Sequence, residues 1–271
     1  MDILIPILWF AALGGVLGLF LAIASRVFAV KKDDRVEKIT DALPGANCGG
    51  CGFSGCGAYA EAIVAGEAKN GACAVGGSAC AAAIAEIMGI EACEVMVMRA
   101  RVLCAGTCDT ASYKYIYEGA SDCAAAVGLS GGDKFCRFGC VGHGSCVKVC
   151  AFDAITVKDG VAVIDPEKCT GCGTCVSVCP RHIISLVPTD ATVVVDCRSL
   201  DDGKTTRTYC KVGCIGCRIC EKNCPVSAIR VENNCAVIDY DLCTGCGLCA
   251  EKCPRKIIHL RAEGYPRSKN A

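Results

Sequence analysis

The stretch CIGCRICEKNCPVSAIRVENNCAVIDYDLCTGCGLCAEKCP, residues 214–254, contains one cysteine pattern twice. The pattern, C-x2-C-x2-C-x3-C-P, is the run with which bacterial ferredoxins bind [4Fe-4S] clusters. Three closely spaced cysteines bind one cluster, and the fourth cysteine binds the other cluster. The spacing therefore predicts two cluster sites, one formed by Cys214, Cys217, Cys220 and Cys253, and the other by Cys224, Cys243, Cys246 and Cys249.

A copy of this stretch lies 74 residues upstream, where Cys150 aligns with Cys224. In both copies, β-branched runs flank a short polar turn, Asp159-Gly160 or Asn233-Asn234, which predicts a β-hairpin between the motifs. The chain therefore carries two ferredoxin-like modules. The intact half of the first copy predicts a third site, formed by Cys150, Cys169, Cys172 and Cys175.

The opening of the first copy, CRFGCVGHGSCVKVCA (136–151), departs from the pattern because His143 stands where the second cysteine belongs. A fourth site therefore has three assured ligands, which are Cys140, Cys146 and Cys179. Cys136 and His143 are the candidates for the missing ligand, and a three-iron cluster is a third alternative. Thiolate is the more usual ligand, which favours Cys136. Cys136 aligns with Cys210, which the second copy does not need.

A different spacing occurs in ANCGGCGFSGCGAYAEAI, which precedes an alanine-rich helical stretch. Five glycines between Gly49 and Gly57 allow backbone amides to approach cluster sulfurs. This spacing predicts a fifth site, with a zinc knuckle as the alternative, formed by Cys48, Cys51, Cys56 and Cys73. The expected cofactors are therefore five [4Fe-4S] clusters, and a sixth is left open.

Eight cysteines remain outside these sites: Cys80, Cys93, Cys104, Cys108, Cys123, Cys197, Cys210 and Cys235. Cys235 aligns with Val161, so we expect a small core residue there. Cys104, Cys108 and Cys123 could bind another metal with a fourth ligand, but packing or free thiols are favoured. The segment VVVDCRSLDDGKTTRTY (193–209) is interpreted as a further hairpin or a spacer.

The segment from Ile3 to Ser25 is an uncharged apolar run, long enough to span a membrane as one helix. Arg26, Lys31 and Lys32 follow it, so the positive-inside rule places the N-terminus outside and the body in the cytoplasm. Thiols stay reduced there and are available to metals. A formal net charge of +0 argues against nucleic acid as a partner. The expected location is the cell (inner) membrane.

The expected fold class is α+β: a single transmembrane helix, a small Gly/Cys-rich iron–sulfur domain and two 2[4Fe-4S] ferredoxin-like modules. The expected domains are an anchor (1–30), a linker (31–40), an N-terminal [4Fe-4S] domain (41–95), a connecting region (96–135), the first module (136–187), a spacer (188–209), the second module (210–262) and a tail (263–271).

The apolar helix, the segment DALPGANCGGCGFSGCGAYAEAI (41–63) and the ferredoxin repeats together resemble the B subunit of the Rnf complex, a membrane ferredoxin–NAD+ oxidoreductase. The resemblance implies a subunit that accepts electrons from reduced ferredoxin. Flavin-bearing membrane subunits then pass the electrons towards NAD+ while sodium ions or protons cross the membrane. This chain carries two ferredoxin repeats, as longer members do, and has Ala151 where the family motif has proline.

Two other functions fit the cysteine count: a membrane-tethered polyferredoxin that serves a hydrogenase or another reductase, and a zinc-rich interaction scaffold. The sequence has no G-x-G-x-x-G after a strand, no P-loop and no paired catalytic residues. We therefore expect an electron-transfer subunit of an oxidoreductase, without a complete active site of its own.

Overall fold

The computed structural model describes residues 4–27, 33–93 and 95–260. Its helices are α1 (Leu4–Val27), α2 (Asp34–Ala42), α3 (Cys56–Val64), α4 (Gly77–Met88), α5 (Cys123–Gly128), α6 (Ser145–Lys148), α7 (Thr174–Val178), α8 (Gly203–Tyr209), α9 (Ile219–Lys222) and α10 (Leu248–Lys252). Its strands are β1 (Met98–Val102), β2 (Ile155–Lys158), β3 (Val161–Ile164), β4 (Ile184–Pro188), β5 (Val193–Val195), β6 (Ile229–Glu232), β7 (Cys235–Ile238) and β8 (Ile258–Leu260). This content confirms the α+β class. The predicted tail, 263–271, lies outside the described residues.

Helix α1 is apolar up to Arg26, near its C-terminal end. Its segment Ile7–Ser25 has a mean hydropathy of 2.4, and none of it is buried. The large side chains of Trp9, Phe10 and Phe20 are exposed. Because about 20 apolar residues in a helix cross the hydrocarbon layer, α1 has the length and composition predicted for a membrane span.

Helices α2, α3 and α4 form a small unit around a shared core, to which Ile39, Tyr59, Ile63 and Ile84 contribute. The hydroxyl of Tyr59 donates to the carbonyl oxygen of Lys69 at 2.7 Å, which holds α3 against the loop that leads to α4. The predicted alanine-rich helix is α3. Burying each large apolar side chain stabilises the unit by roughly 1.5–3 kcal/mol.

The two modules repeat the same elements: α6, β2, β3, α7 and β4 recur 74 residues later as α9, β6, β7, α10 and β8. The predicted hairpins are confirmed, since β2 pairs with β3 and β6 pairs with β7, both antiparallel. All four turn residues, Asp159-Gly160 and Asn233-Asn234, have positive φ. Positive φ at both central residues is what a type I′ turn requires.

Each module also has an outer strand that the cysteine pattern did not reveal. Strand β1 pairs antiparallel with β4, and β5 pairs antiparallel with β8. The prediction of a hairpin within 193–209 is wrong, because β5 pairs with the far end of its module and the residues after it form α8. Both outer strands lie upstream of the module starts predicted at 136 and 210, which stay predictions.

The two modules meet where β1 and β5 end. The amide of Ala105 donates to the carbonyl oxygen of Asp196 at 3.0 Å. Arg101 donates to the Asp196 carboxylate through Nε at 3.0 Å and Nη2 at 3.3 Å. The carboxylate is buried, and a bidentate pair of this kind fixes orientation as well as distance. The segments that follow β1 and β5 are therefore held side by side.

The N-terminal unit docks on the first module. Thr174 Oγ1 donates to the carbonyl oxygen of Cys48 at 3.3 Å. Gly50 lies so close to the backbone of Cys172 that an added methyl group would collide with its carbonyl oxygen. The absence of a side chain at Gly50 is therefore required for this contact.

Candidate iron–sulfur cluster sites

The cysteines of the N-terminal unit surround one cavity, with about 380 Å³ of empty space. Thiol set 1 consists of Cys48, Cys51, Cys56 and Cys73. The pKa of Cys73 is raised, first by burial and then by the negative charges of Cys51 and Cys56. The amide of Gly76 donates to the sulfur of Cys73 at 3.4 Å. The structure thus brings the four predicted ligands together.

Local backbone geometry places the cysteines of set 1. The side-chain oxygen of Asn47 accepts a hydrogen bond from the amide of Cys56 at 2.8 Å, at the start of α3. Gly49 and Gly52 have φ of 72° and 89°, a region that favours glycine. These residues turn the loop so that two cysteines of the loop and the first residue of α3 face the same cavity.

The first module brings together the predicted ligands of thiol set 2, which are Cys150, Cys169, Cys172 and Cys175. Burial raises the pKa of Cys175 to about 12, and the negative charges of the other three thiols add to the rise. The amide of Ala100 donates to the sulfur of Cys169 at 3.4 Å, and the amide of Ala154 donates to that of Cys150 at 3.4 Å. Because Ala100 belongs to β1, the outer strand contributes directly to this site.

The second module holds two further sets. Thiol set 5 consists of Cys214, Cys217, Cys220 and Cys253, and thiol set 6 of Cys224, Cys243, Cys246 and Cys249. Burial raises the pKa of Cys220 to about 11, and the other thiols of set 5 add to the rise. Set 6 lines a cavity with about 320 Å³ of empty space. Helix α10 carries Cys249 of set 6 and is followed directly by Cys253 of set 5, so the two sets are neighbours.

The incomplete site of the first module has a fourth thiol, and it is Cys123. A cavity with about 340 Å³ of empty space is lined by the members of thiol set 3, which are Cys123, Cys140, Cys146 and Cys179. Burial raises the pKa of Cys146 to about 12, and Cys140, Cys123 and Cys179 are among the thiols whose charges contribute. Cys136, which the sequence favoured for this position, is not among the lining residues.

A hydrogen-bond chain holds Cys123 in this position. Asp122 caps α5 by accepting from the amide of Ala125 at 2.9 Å. The amide of Cys123 donates to Ser145 Oγ at 2.7 Å, and Ser145 Oγ donates to the Asp122 carboxylate at 2.8 Å. Ser145 is the first residue of α6, which also carries Cys146. The segment between β1 and α6 therefore places the Cys123 thiol at the position that Cys217 occupies in the second module.

His143, the other candidate, does not line the cavity of set 3. Its Nε2 lies 3.3 Å from a carboxylate oxygen of Asp133, and its ring lies 4.6 Å from that of Tyr117, centroid to centroid. The imidazole therefore lies beside an acidic and an aromatic residue, outside the thiol cavity.

Cys136 lies instead in a separate cavity between the two modules, with about 410 Å³ of empty space. Four cysteines line this cavity as thiol set 4, and they are Cys104, Cys136, Cys197 and Cys210. From the sequence, packing or a free thiol was favoured for Cys104, and no role was assigned to Cys197 or Cys210. The signal that could have found them is the alignment of Cys136 with Cys210 at the 74-residue offset.

Four cysteines lie outside the six sets. Cys93 and Cys108 are exposed. Cys80 is buried in the N-terminal unit, where its thiol donates to the carbonyl oxygen of Ala42 at 3.5 Å. Cys235 is buried in the core of the second module, as predicted from its alignment with a valine. Its thiol lies 3.3 Å from the carbonyl oxygen of Cys197.

The thiol sets can be compared with the single-ion sites that cysteines also form. Among residues 4–27, 33–93 and 95–260, no group of three or more His, Cys, Asp or Glu side chains converges closely enough to hold one ion. A zinc ion needs four ligands at about 2.0–2.3 Å, which would draw the sulfurs together. Here the thiols surround cavities of similar size in sets 1, 3, 4 and 6. Four thiols around one cavity fit a polynuclear iron–sulfur cluster.

Comparison with known families agrees with this geometry. A family model described as a putative Fe-S cluster matches residues 43–75. Models described as 4Fe-4S binding domains match residues 162–185, 213–227 and 236–259. The fold and the thiol cavities thus define an iron–sulfur protein with ferredoxin-type 4Fe-4S binding domains. None of these matches covers set 4 or Cys123.

Relatives identify the family. The B subunit of the Na+-translocating ferredoxin:NAD+ oxidoreductase complex of Acetobacterium woodii is 51% identical over 89% of this chain and 73% of its own length. The B subunit of an ion-translocating oxidoreductase complex of Methanosarcina acetivorans is 42% identical over 93% of this chain and 96% of its own length. The B subunit of the proton-translocating complex of Clostridium ljungdahlii is 41% identical over 85% of this chain and 82% of its own length. The chain belongs to the family of Rnf complex B subunits. With α1, this membership indicates a membrane protein.

Proposed function

We propose that this chain accepts electrons from reduced ferredoxin and relays them, through [4Fe-4S] clusters, to flavin-bearing membrane subunits that reduce NAD+ during ion translocation. The observation that carries the proposal is the set of thiol-lined cavities in a chain of this family. A [4Fe-4S] cluster bound to such a set carries one electron at a time.

Five sites of this proposal are thiol sets 1, 2, 3, 5 and 6. The ligand assignment follows the motif spacing for four of them and the shared cavity for set 3, where Cys123 takes the position expected for Cys136. In these sites backbone amides donate to sulfur, as the amide of Ala228 does to Cys224 at 3.3 Å. Such hydrogen bonds stabilise negative charge on the ligand sulfur and so contribute to the reduction potential.

The proposed orientation places the iron–sulfur domains on the cytoplasmic side of the cell membrane. Arg26, Lys31 and Lys32 follow the apolar segment of α1, whereas Asp2 precedes it. Basic residues favour the cytoplasmic side of a span, so the N-terminus faces outward. This side is also where soluble reduced ferredoxin and NAD+ would meet the complex.

The decisive experiment deletes the gene for this chain and measures ferredoxin-driven NAD+ reduction in isolated membranes. The proposal requires that activity is lost and that the full-length chain restores it. Unchanged activity would rule the proposal out, and copurification with a hydrogenase would then favour the polyferredoxin alternative. Zinc without acid-labile sulfide in the anaerobically purified chain would exclude both redox functions.

A further inference from the structure

We propose that thiol set 4 binds a sixth [4Fe-4S] cluster, between the two ferredoxin modules. The inference rests on the proposed function in one respect, that the chain carries iron–sulfur clusters. It does not depend on which molecule donates or receives the electrons.

Each module contributes two equivalent thiols to this site. Cys104 follows β1, and Cys197 follows β5, the corresponding strand of the second module. Cys136 and Cys210 each stand four residues before the first cysteine of their module's motif. The site is therefore built from a repeated pair and forms only when both modules are folded against each other.

The sulfurs face a common space. A methyl group added at Gly139 would lie 3.4 Å from the sulfur of Cys136 and 3.7 Å from that of Cys104. A methyl group added at Gly106 would lie 3.6 Å from the sulfur of Cys104 and 3.9 Å from that of Cys210. Because one methyl group would touch two sulfurs at each position, the thiols share a cavity wall rather than packing separately.

The four thiols are also withdrawn from solvent. Cys104 and Cys210 are buried, and Cys136 and Cys197 are half-buried. Four thiolates this close repel one another in a buried space unless a cation offsets them. The irons of a cluster supply that positive charge, because metal binding stabilises thiolates.

The surroundings of set 4 fit anionic sulfur ligands. The amides of Cys214 and Ser199 donate to the sulfur of Cys197 at 3.3 Å and 3.5 Å. Lys134 also lines the cavity and is 1% exposed. Its Nζ donates to the carbonyl oxygens of Gly106 and Gly160, each at 2.8 Å. A buried cation next to the cavity offsets the net negative charge of a loaded site.

Set 4 also lies between set 3 of the first module and set 5 of the second module, so that neighbouring thiol sets follow one another through the protein. Set 1 adjoins set 2, because Cys172 lines the cavity of set 1. Helix α7 carries Cys175 of set 2 and is followed directly by Cys179 of set 3. Set 3 adjoins set 4, because Cys140 of set 3 directly follows Gly139, where an added methyl group would lie against the sulfurs of Cys136 and Cys104. The hydrogen bond from the Cys214 amide to Cys197 joins set 4 to set 5.

The test counts iron and acid-labile sulfide in the full-length chain, purified anaerobically in detergent. Six clusters of this type contain about 24 irons per chain, whereas five contain about 20. A double variant, Cys104→Ala with Cys197→Ala, is expected to lose about 4 irons and the EPR signal of one cluster. The control is Cys108→Ala, which removes an exposed thiol four residues from Cys104 that does not line the cavity. It should retain the wild-type iron content.

A wild-type count near 20 irons would overturn the proposal, as would a double variant with the wild-type count. If the double variant loses every cluster through misfolding, the wild-type count still decides between five and six. The iron count is independent of NAD+ reduction. Unchanged NAD+ reduction in the deletion strain would therefore leave a count of six clusters standing, and a count of five clusters would leave the NAD+ assay unchanged.

Discussion

The assignment of Cys123 and Cys136 to different sites can be tested by combining two substitutions. Cys123→Ala removes a thiol of set 3, and Cys136→Ala removes a thiol of set 4. We expect each single variant to lose iron and the double variant to lose the sum of both. Effects at separate sites add, whereas effects within one shared site do not.

The size of the effect follows from the number of irons at each site. A missing ligand removes at least the one iron that it held and at most the whole cluster, which is about 4 irons. Each single variant should therefore lose about 1–4 irons per chain, and the double variant about 2–8. The sequence alone suggested that Cys136 belongs to set 3. In that case both thiols would serve one cluster, and the double variant could lose no more than about 4 irons.

The assay is iron and sulfide analysis of the anaerobically purified full-length variants, combined with EPR of the reduced protein. His143→Ala is the control, because that side chain contacts Asp133 and Tyr117 outside the cavity and should leave every cluster in place. A Cys123→Ala variant with the wild-type iron content would refute the assignment, as would a His143→Ala variant that loses a cluster while Cys123→Ala does not.

Three further predictions concern residues that shape the sites. Asp196→Ala should destabilise the chain by about 3–5 kcal/mol, because it breaks the buried ion pair with Arg101. Denaturant unfolding under anaerobic conditions measures the loss of stability, and an unchanged unfolding midpoint would contradict the prediction. Gly171→Ala should destabilise the fold more than Gly173→Ala does. Both glycines have positive φ, where a side chain costs roughly 1–2 kcal/mol, but of the two only Gly171 lies against a backbone carbonyl of β1. Equal unfolding midpoints of the two variants would show that the contact with β1 does not contribute. Lys134→Met should shift the reduction potential of a neighbouring cluster to more negative values in an EPR-monitored titration, because a buried cation stabilises the reduced form. Lys158→Met, at an exposed position, should leave that potential unchanged. Identical titrations of the two variants would argue against a role for Lys134.

Cysteine spacing predicted sets 1, 2, 5 and 6 because most of their ligands are local. In the motif that contains Cys169, for example, three thiols lie within seven residues and are drawn to one loop. The trailing cysteine was also predictable, since the short helix α7 places Cys179 beside the neighbouring set. The hairpins were predicted for a similar reason, because residues such as Asn233-Asn234 select their own turn.

The structure places Cys136 outside set 3, because residues that are close along the chain can line different cavities where the chain bends. Cys136 is only four residues from Cys140, yet the two line different cavities. Cys123 is farther along the chain from Cys140, but the hydrogen bonds of Asp122 and Ser145 carry it to set 3. No spacing rule describes such an insertion.

The sequence by itself determined the apolar helix, the α+β modules and the thiol sets built on local motifs, because periodicity, turn residues and short-range spacing act within a few residues. Only the tertiary structure decided the pairing of β1 with β4 and of β5 with β8, the thiol that completes set 3, and the meeting of four thiols in set 4. These features depend on long-range packing, and set 4 depends in particular on the contact of Asp196 with Arg101 and Ala105 that holds the two modules together. A pattern within one module contains no information on that contact, because half of each interaction lies in the other module.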